Sequence, residues 1–403
     1  MFRKRVIINK FKRLLLLLVM FFAVLFGKSQ KQSMAKLIKE NFAFADSQYH
    51  LLMQHTPANK MPQSYNASKN KWDNREIEWW CSGFYPGCLW YIFEETKDTL
   101  IETEAKRALE VVKPNMHYTG NHDLGFMMFC SFGNGFRLTN DTSYKNILIT
   151  SAATLATRFR PGIPAIQSWN KYGNFKCPVI IDNMMNLELL NWVSQNGGGK
   201  KYGQIAVQHA NTTMKNHFRP DFSSYHVIDY DTATGKVLQK KTAQGYSDAS
   251  AWARGQGWAL YGFTMMYRFT RDTAYLNLAK HVAGFILNNP TLPKDKIPYW
   301  DFNDPAIPNT VRDASAGAVI ASALLELGQY STKKEKKWYV ENAEEMIRSL
   351  SSPSYRAKAG SNGGFLLMHS TGALPLHSEI DVPLIYADYY YLEALKRYKD
   401  WYL

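Results

Sequence analysis

VIIDNMMNLELLNW, residues 179–192, joins an apolar approach to a helical pattern and carries an acid, Asp182, where the two meet. A carboxyl group in that position is poorly solvated, and poor solvation raises its pKa because it disfavours the charged form. A general acid that works near neutral pH needs such a pKa. The other acid of the stretch, Glu188, lies two turns further into the helix, away from its mouth. The stretch therefore predicts that Asp182 is a catalytic acid at the mouth of a buried helix.

A second acid stands in a matching context. GNHDLGFMMFCSF, residues 120–132, places Asp123 between two glycines at the start of another apolar segment, rich in Met and Phe. Two carboxyl groups at the starts of two apolar helices favour one shared pocket. The alternative is that each Asp is a helix N-cap or first-turn acid, stabilised by the helix dipole. Taken singly, each acid fits that alternative better, because caps far outnumber catalytic acids.

Two kinds of segment alternate along the chain. Six segments are apolar, aromatic and small: residues 78–95, 122–132, 180–193, 251–270, 314–330 and 382–398. Six others are amphipathic: residues 34–52, 101–112, 143–159, 204–218, 274–288 and 336–350. An apolar helix needs burial on most sides, and an amphipathic helix covers it from outside.

This alternation predicts an all-α fold, an (α/α)6 barrel of six inner and six outer helices that forms a single domain over residues 29–403. An open solenoid of helical hairpins is the alternative. One minor β-hairpin is predicted at residues 224–241, around Gly235.

The N-terminus predicts export. Residues 1–13 hold six basic side chains, and residues 14–26 are an apolar run too short to span a bilayer comfortably. We expect a signal peptide at residues 1–28 and a periplasmic or secreted mature protein without a membrane anchor; an uncleaved anchor is the alternative. Removing residues 1–27 lowers the formal charge from +14 to +8, which suits an anionic partner. The lysines show no aromatic-interleaved motif, so we expect no nucleic acid partner.

Composition points to a sugar-binding cleft. The chain has 11 Trp, 24 Tyr and 22 Phe, more aromatic surface than a core usually needs, and flat aromatic faces stack on sugar rings. Its four cysteines lack the spacing of metal ligands and the chain shows no phosphate-binding loop, so no metal site is predicted. Cys81 and Cys88 can either pair or stay as buried free thiols.

Polar and aromatic residues collect in the loops before the apolar segments. Arg254 offers a fork of donors for a carboxylate or sulfate, or else forms a structural ion pair with Asp248 or Asp313. The convergence of these loops with two carboxyl groups predicts a glycosidase-like enzyme for an acidic sugar. The residues concerned include Trp80, His122, Trp169, His226, Gln244, Trp252, Arg254 and Trp258.

At these positions the sequence resembles glycoside hydrolase family 88, the unsaturated glucuronyl hydrolases. The resemblance is carried by NHDLGF (121–126), IIDNMMNLELLNW (180–192), HANTTMKNHFRPDFSSYHVIDYD (209–231), TAQGYSDASAWARGQGWALYGF (242–263) and EIDVPLIYADYYYLEAL (379–395). It implies an (α/α)6 barrel that acts on oligosaccharides left by polysaccharide lyases, whose terminal uronic acid has a double bond between carbons 4 and 5. The reaction it implies is hydration of that vinyl ether, without a cofactor.

The resemblance also assigns roles. Asp182 protonates carbon 4 and assists water at carbon 5, while Asp123 holds ring hydroxyls and sets the field around Asp182. The substrate-binding residues it implies are Trp80, His122, Trp169, His209, His226, Gln244, Trp252, Arg254 and Trp258. Some members select sulfated sugars with a Ser- and Lys-bearing stretch before the last inner helix, but here that loop, MHSTGALPLHSEID, contains no Lys.

Three rival functions remain open at this point. An unsaturated rhamnogalacturonyl hydrolase acts on pectin fragments with the same barrel and chemistry. A non-catalytic glycan-binding barrel is expected to lack one of the two acids. An inverting glycosidase uses both carboxylates on saturated sugars.

Overall fold

A computed structural model describes residues 32–170 and 172–403. The predicted signal peptide, residues 1–28, lies outside the described residues. The chain divides into two units, residues 1–39 and 40–403, with the boundary inside the first helix, α1, Met34–Gln54. In the first unit the described part, residues 32–39, contains the beginning of α1. The functional features below lie in the second unit.

Alternating inner and outer helices make up most of the described chain. The inner helices are α2 Phe84–Thr96, a π-helix (π1) Gly125–Gly133 that continues as α4 Asn134–Thr139, α6 Asn183–Gln195, α8 Ala253–Thr270, α10 Ala314–Gln329 and α12 Ile385–Tyr402. The outer helices are α1, α3 Thr99–Val112, α5 Thr142–Ala156, α7 Lys200–Asn216, α9 Thr273–Leu287 and α11 Lys333–Leu350.

The inner helices form a closed ring. Each packs on the next in the order α2, π1, α6, α8, α10, α12, and α12 returns to α2. This closure distinguishes a barrel from an open solenoid, so the predicted (α/α)6 barrel is confirmed. No helix among the described residues is both long enough and apolar enough to span a membrane.

Side-chain size and spacing explain which helices lie inside. In α10, ASAGAVIASALLELGQ, all residues but the last are buried, and the small residues let neighbouring helices approach closely. Its outer partner α11 buries only one stripe, at helical spacing: Tyr339, Ala343, Met346, Ile347 and Leu350. A helix with one apolar stripe can cover the ring but cannot belong to it.

Three of the turns from an inner to an outer helix share one short motif: TKD at 96–98, TND at 139–141 and TRD at 270–272. In each, the middle residue is left-handed, with φ of 63°, 56° and 61°. The Thr hydroxyl accepts a bond from the Asp N–H, and the Asp carboxylate caps the following helix. These tight turns close one end of the barrel, so the long loops, with their polar residues, gather at the other end.

Small sheets occupy the long loops. β1 Met61–Asn66 pairs with β2 Lys71–Arg75, and β3 Phe159–Arg160 pairs with β4 Ala165–Ile166. β6 Val227–Tyr230 and β7 Val237–Lys241 form the predicted hairpin, with Gly235 at φ +69°. A third strand, β5 Pro178–Ile180, pairs with β6 and was not predicted.

Candidate active site

The β5–β6 pairing brings Asp182 to His226. Antiparallel register sets Ile180 opposite Val227, so the residue after β5 lies beside the residue before β6. The Ile181 N–H accordingly donates to the His226 carbonyl at 3.0 Å. As a result, Asp182 Oδ2 lies 3.7 Å from His226 Nε2, too far for a hydrogen bond but close enough for the two groups to share a ligand.

Asp182 occupies the N-cap position of α6, yet its side chain makes no capping hydrogen bond. Its buried Oδ2 has no hydrogen-bond partner among the described residues. Burial raises the pKa of the Asp182 carboxyl to about 7; Arg254 opposes the rise and Asp123 adds to it. A carboxyl group used as a cap has a satisfied oxygen, so the simple capping interpretation fails here and an acid available for chemistry remains.

Asp123 lies two residues before the π-helix π1 and is held by Asn186. The Asn186 Nδ2 donates to Asp123 Oδ1 at 3.3 Å, and its Oδ1 accepts from the Phe126 N–H at 3.0 Å. Gly125 allows this approach, since a Cβ there would lie 2.4 Å from the Asn186 Cα. Asn186 is one turn beyond Asp182 on α6, so both acids face the same end of the barrel.

The tautomer of His122 indicates which oxygen of Asp123 carries the proton. The His122 Nδ1 lies 2.9 Å from the Ser168 carbonyl and must donate to it, which leaves Nε2 as a lone-pair acceptor. Burial lowers the pKa of His122 to about 3, so the ring is neutral. Its Nε2 lies 3.2 Å from Asp123 Oδ1, a contact that is favourable when Asp123 is protonated there. Burial also raises the pKa of Asp123 to about 7, consistent with that proton.

His226 has the opposite tautomer. Its Nδ1 accepts from the backbone N–H groups of Ala243 and Gln244, at 3.0 and 3.3 Å. Burial, with Arg254 adding to it, lowers the pKa of His226 to about 3. The single ring proton is therefore on Nε2, directed toward Asp182. This donor favours the carboxylate that Asp182 becomes after giving up its proton.

Arg254 is buried, and both of its terminal nitrogens donate to protein groups. Its Nη1 donates to Asp313 at 2.7 Å and to the Thr371 carbonyl at 2.6 Å, and its Nη2 donates to the Gly372 carbonyl at 2.6 Å. The ion pair with Asp313 is one of the two structural pairs that the sequence allowed. Direct contact of Arg254 with substrate stays a prediction; in this structure it supplies positive charge behind Asp182 and anchors the loop before α12.

The aromatic residues line two sides of the acids. Trp252 and Trp169 lie against His226, at 4.7 and 6.2 Å between ring centroids. Trp80 and Trp258 both pack on Phe126, at 5.4 and 5.3 Å. The buried Trp258 Nε1 has no hydrogen-bond partner among the described residues.

The remaining two predicted site residues, Gln244 and His209, form hydrogen bonds with other residues of the protein. The Gln244 side chain donates to the Gly372 carbonyl at 3.1 Å. His209 is fully buried on α7, where its Nδ1 accepts from the Ile166 N–H at 2.9 Å. Their roles in substrate binding stay predictions.

Two supporting residues escaped the sequence analysis. Asn186 holds Asp123, and its signal was an amide one turn after Asp182 in an otherwise apolar helix. Ser168 links the two acids: its carbonyl accepts from His122, and its Oγ accepts from Ile180 N–H at 2.9 Å and Asn183 Nδ2 at 3.1 Å. No sequence pattern marks a serine for that role.

All four cysteines are free thiols, so Cys81 and Cys88 do not pair. Among the described residues, one group has side chains spaced for a metal ion: Asp46, His50 and Asp98. It lies between outer helix α1 and the turn before α3, near the closed end of the barrel. It is therefore separate from the two acids.

The family follows from comparison with known proteins. A model described as Glycosyl Hydrolase Family 88 matches residues 46–402. The chain belongs to this family. An unsaturated glucuronyl hydrolase of Formosa agariphila is 42% identical over 374 residues, 92% of each chain. An unsaturated chondroitin disaccharide hydrolase of Streptococcus agalactiae is 34% identical over 84% of this chain and 86% of its own.

Solved structures of family 88 agree with this assignment. The crystal structure of an unsaturated glucuronyl hydrolase specific for heparin superposes with a TM-score of 0.87 at 47% identity, covering 91% of this chain and 97% of its own. The enzyme from Bacillus sp. GL1 superposes with a TM-score of 0.83 at 28% identity, covering 91% and 96%. The resemblance found in the sequence motifs is confirmed, and the chain is a glycoside hydrolase with an (α/α)6 barrel.

Proposed function

We propose that this family 88 chain removes the 4,5-unsaturated uronic acid from the non-reducing end of glycosaminoglycan fragments by hydrating its double bond. The observation that carries the proposal is the uncapped Asp182, whose side chain is 14% exposed and whose pKa desolvation raises to about 7. Protonating a carbon needs a donor that keeps its proton near neutral pH and that no other group holds. Asp182 keeps its proton up to a pKa of about 7, and its Oδ2 has no hydrogen-bond partner among the described residues.

In the proposed reaction the Asp182 proton adds to carbon 4, and the positive charge that develops at carbon 5 is shared with the ring oxygen. Water then adds to carbon 5 and returns a proton to Asp182, so the acid is regenerated. The hemiketal formed at carbon 5 opens, and the hemiacetal left at carbon 1 collapses and releases the leaving sugar. His226 Nε2–H stabilises the Asp182 carboxylate between these two steps.

Asp123 supports this chemistry in its protonated form. The proton between Asp123 and His122 removes a negative charge that would otherwise repel the uronate and oppose ionisation of Asp182. Its second oxygen is left to accept from a ring hydroxyl. The site thus places one working acid beside one acid held neutral.

The relatives support a glycosaminoglycan substrate. One solved structure is of an unsaturated glucuronyl hydrolase specific for heparin. Other relatives are named unsaturated glucuronyl hydrolase and unsaturated chondroitin disaccharide hydrolase. A mutant of the Streptococcus agalactiae enzyme was solved with dGlcA-GalNAc6S. The basic balance of residues 28–403 fits an anionic sugar. We also propose that the protein is exported, on the basis of its basic and apolar N-terminal residues.

A panel of unsaturated disaccharides tests the proposal. The purified protein is incubated with those of chondroitin, heparin, hyaluronan and pectin, and the ultraviolet absorbance of the conjugated double bond is followed. Loss of absorbance with glycosaminoglycan disaccharides supports the proposal. Loss with the pectin disaccharide alone reassigns the substrate, and no loss with any of them excludes the activity.

A further inference from the structure

A groove of about 480 Å³ lies between the β1–β2 hairpin and the loop that precedes α12. One wall is the hairpin face that carries Lys71, Asp73 and Arg75, which alternate along β2 and therefore point to the same side. Lys69, at the hairpin tip, adds a second ammonium group. The opposite wall is formed by residues 377–380 and 382.

A short chain of contacts connects this groove to Arg254. Gly372, which accepts from Arg254 Nη2, donates its N–H to the Glu379 carbonyl at 2.8 Å. Glu379 lines the groove, and its side chain lies within electrostatic range of both Arg254 and Arg75. A sugar chain whose terminal uronate is at Asp182 therefore has the groove available for the residues that follow.

The charges of the groove do not cancel. Arg75 donates from Nε and Nη2 to Asp73 Oδ2, at 3.0 and 2.6 Å, and its charge offsets that of Asp73. Glu379 Oε1 accepts from Gln63 Nε2 at 2.6 Å, on the inner side of the groove. Neither Lys69 nor Lys71 forms an ion pair within the described part of the chain. The groove's three cations, Lys69, Lys71 and Arg75, outnumber its two carboxyl groups, Asp73 and Glu379, so its net charge is positive.

The hairpin is rigid enough to hold these two lysines in place. Asn66 Oδ1 accepts from the Lys69 N–H at 3.0 Å, and Asn70 is fixed in the left-handed region by a 2.7 Å bond to Tyr65. Trp72 stacks on His55 at 3.7 Å and donates to the Gly363 carbonyl at 2.8 Å. Preorganised donors bind an anion at a smaller entropic cost than mobile ones.

We infer that this groove is an anion subsite in which Lys69 and Lys71 bind a negatively charged group on the leaving-group side of the substrate. The inference rests on the proposed function and deepens it. Two sources supply the same chemistry: a sulfate on the adjacent hexosamine, or the carboxylate of the next uronate in a longer chain. The loop before α12 contains no Lys, so both lysines that line the groove come from the hairpin wall.

Kinetics of the double variant Lys69→Gln/Lys71→Gln test the inference. Three substrates are compared: an unsulfated unsaturated disaccharide, its sulfated counterpart, and an unsulfated unsaturated tetrasaccharide. We expect the ratio of kcat/KM for a charged-leaving-group substrate over the unsulfated disaccharide to fall on the order of fivefold to tenfold, since each partly exposed charge contact is worth up to a few-fold in affinity. A fall for the sulfated disaccharide identifies sulfate, and a fall for the tetrasaccharide identifies the second carboxylate.

Lys333→Gln/Lys334→Gln is the matched control. These exposed lysines begin α11 at the closed end of the barrel, and their replacement removes the same charge. If both double variants shift the ratios equally, or neither shifts them, the groove is not an anion subsite.

A binding measurement separates this failure from failure of the proposed function. Calorimetric titration with the saturated sulfated disaccharide and with the saturated unsulfated tetrasaccharide requires no turnover. Weaker binding of either ligand to the Lys69→Gln/Lys71→Gln variant alone supports the groove even if no unsaturated substrate is consumed. Equal binding of both ligands by the wild type and both double variants overturns it.

Discussion

Replacing Asp182 with Asn should abolish turnover and, at alkaline pH, stabilise the fold. The loss of the proton donor removes general acid–base catalysis, which contributes roughly 10²–10⁴-fold. Because Asp182 serves in two steps, we expect a fall in kcat of about 10⁴-fold, or about 5.5 kcal/mol of transition-state stabilisation. Asn is nearly isosteric and disturbs no capping bond, since the Asp182 side chain makes none.

The stability effect follows from the raised pKa. The folded Asp182 keeps its proton up to a pKa of about 7, whereas the pKa of a solvated Asp is 3.8. The folded state therefore binds more protons between these values, and its stability falls as the pH rises through that window. At 1.36 kcal/mol per pKa unit, the cost above pH 7 is at most about 4 kcal/mol. Asn carries no charge, so the variant escapes this cost.

Urea unfolding of the wild type and Asp182→Asn at pH 5 and pH 8 measures the effect. We expect the variant to gain on the order of 1–3 kcal/mol over the wild type at pH 8 relative to pH 5. Asp388→Asn is the control: burial raises the pKa of Asp388 to about 7, but its carboxylate accepts from the N–H groups of Leu366 and Leu367. An amide there faces a donor at both pH values, so Asp388→Asn should lose about 1–3 kcal/mol of stability at each pH while showing a similar gain between pH 5 and pH 8.

Two results would refute the reasoning. A near-normal rate for Asp182→Asn removes Asp182 from the mechanism. A variant that is inactive but loses stability at pH 8 shows that the Asp182 carboxylate is satisfied in the fold, and that the inactivity has a structural cause.

Further predictions concern the rest of the site. The kcat/KM of the wild type should fall as the pH rises through about 7, because Asp182 then loses its proton; a profile flat to pH 9 contradicts this. Asp123→Asn should lower kcat at least 100-fold with the fold intact by circular dichroism, since an amide NH2 at the position of Oδ1 can donate to His122 but cannot also accept from Asn186; unchanged kinetics would remove Asp123 from the site. Asn186→Leu should lower kcat about 10–100-fold, because Asp123 keeps its carboxyl group but loses the hydrogen bond that positions it. A stability loss without a rate loss would make Asn186 purely structural. Gly125→Ala should destabilise the fold by about 1–3 kcal/mol in thermal melts, because its Cβ would meet Asn186 at 2.4 Å.

The sequence predicted the helical architecture well because burial leaves a local signature. The apolar segment 314–330 and the amphipathic segment 336–350 became α10 and α11 almost at the predicted bounds. The observed helix starts later than predicted where the preceding loop is itself apolar. In the predicted segment 78–95, the helix begins only at Phe84. Aromatic residues that line a pocket are apolar without being helical, and periodicity cannot separate the two.

The two acids were predictable, but their protonation states were not. Asp123 and Asp182 stand out because an acid at the start of an apolar helix is visible in the sequence. The tautomers of His122 and His226 depend on backbone groups of Ser168, Ala243 and Gln244, which are distant in sequence from one or both acids. Those contacts exist only after the β5–β6 pairing and the barrel have formed.

The contacts of Arg254 also could not be predicted from local sequence. Its sequence context allowed both a substrate contact and an ion pair with Asp313. The structure shows the pair, together with two carbonyl groups of the loop before α12. That loop comes more than 100 residues later, so local sequence could not decide between the alternatives.

The fate of the double bond in the released sugar tests the central claim most directly. The wild-type protein is given an unsaturated glycosaminoglycan disaccharide, and the ultraviolet absorbance of the double bond is followed together with release of the leaving sugar. Hydration by Asp182 predicts that the absorbance is lost no later than the leaving sugar is released, and that Asp182→Asn gives neither change. Release of a uronic acid that keeps its double bond would mean that water attacks the anomeric carbon, and would contradict the account.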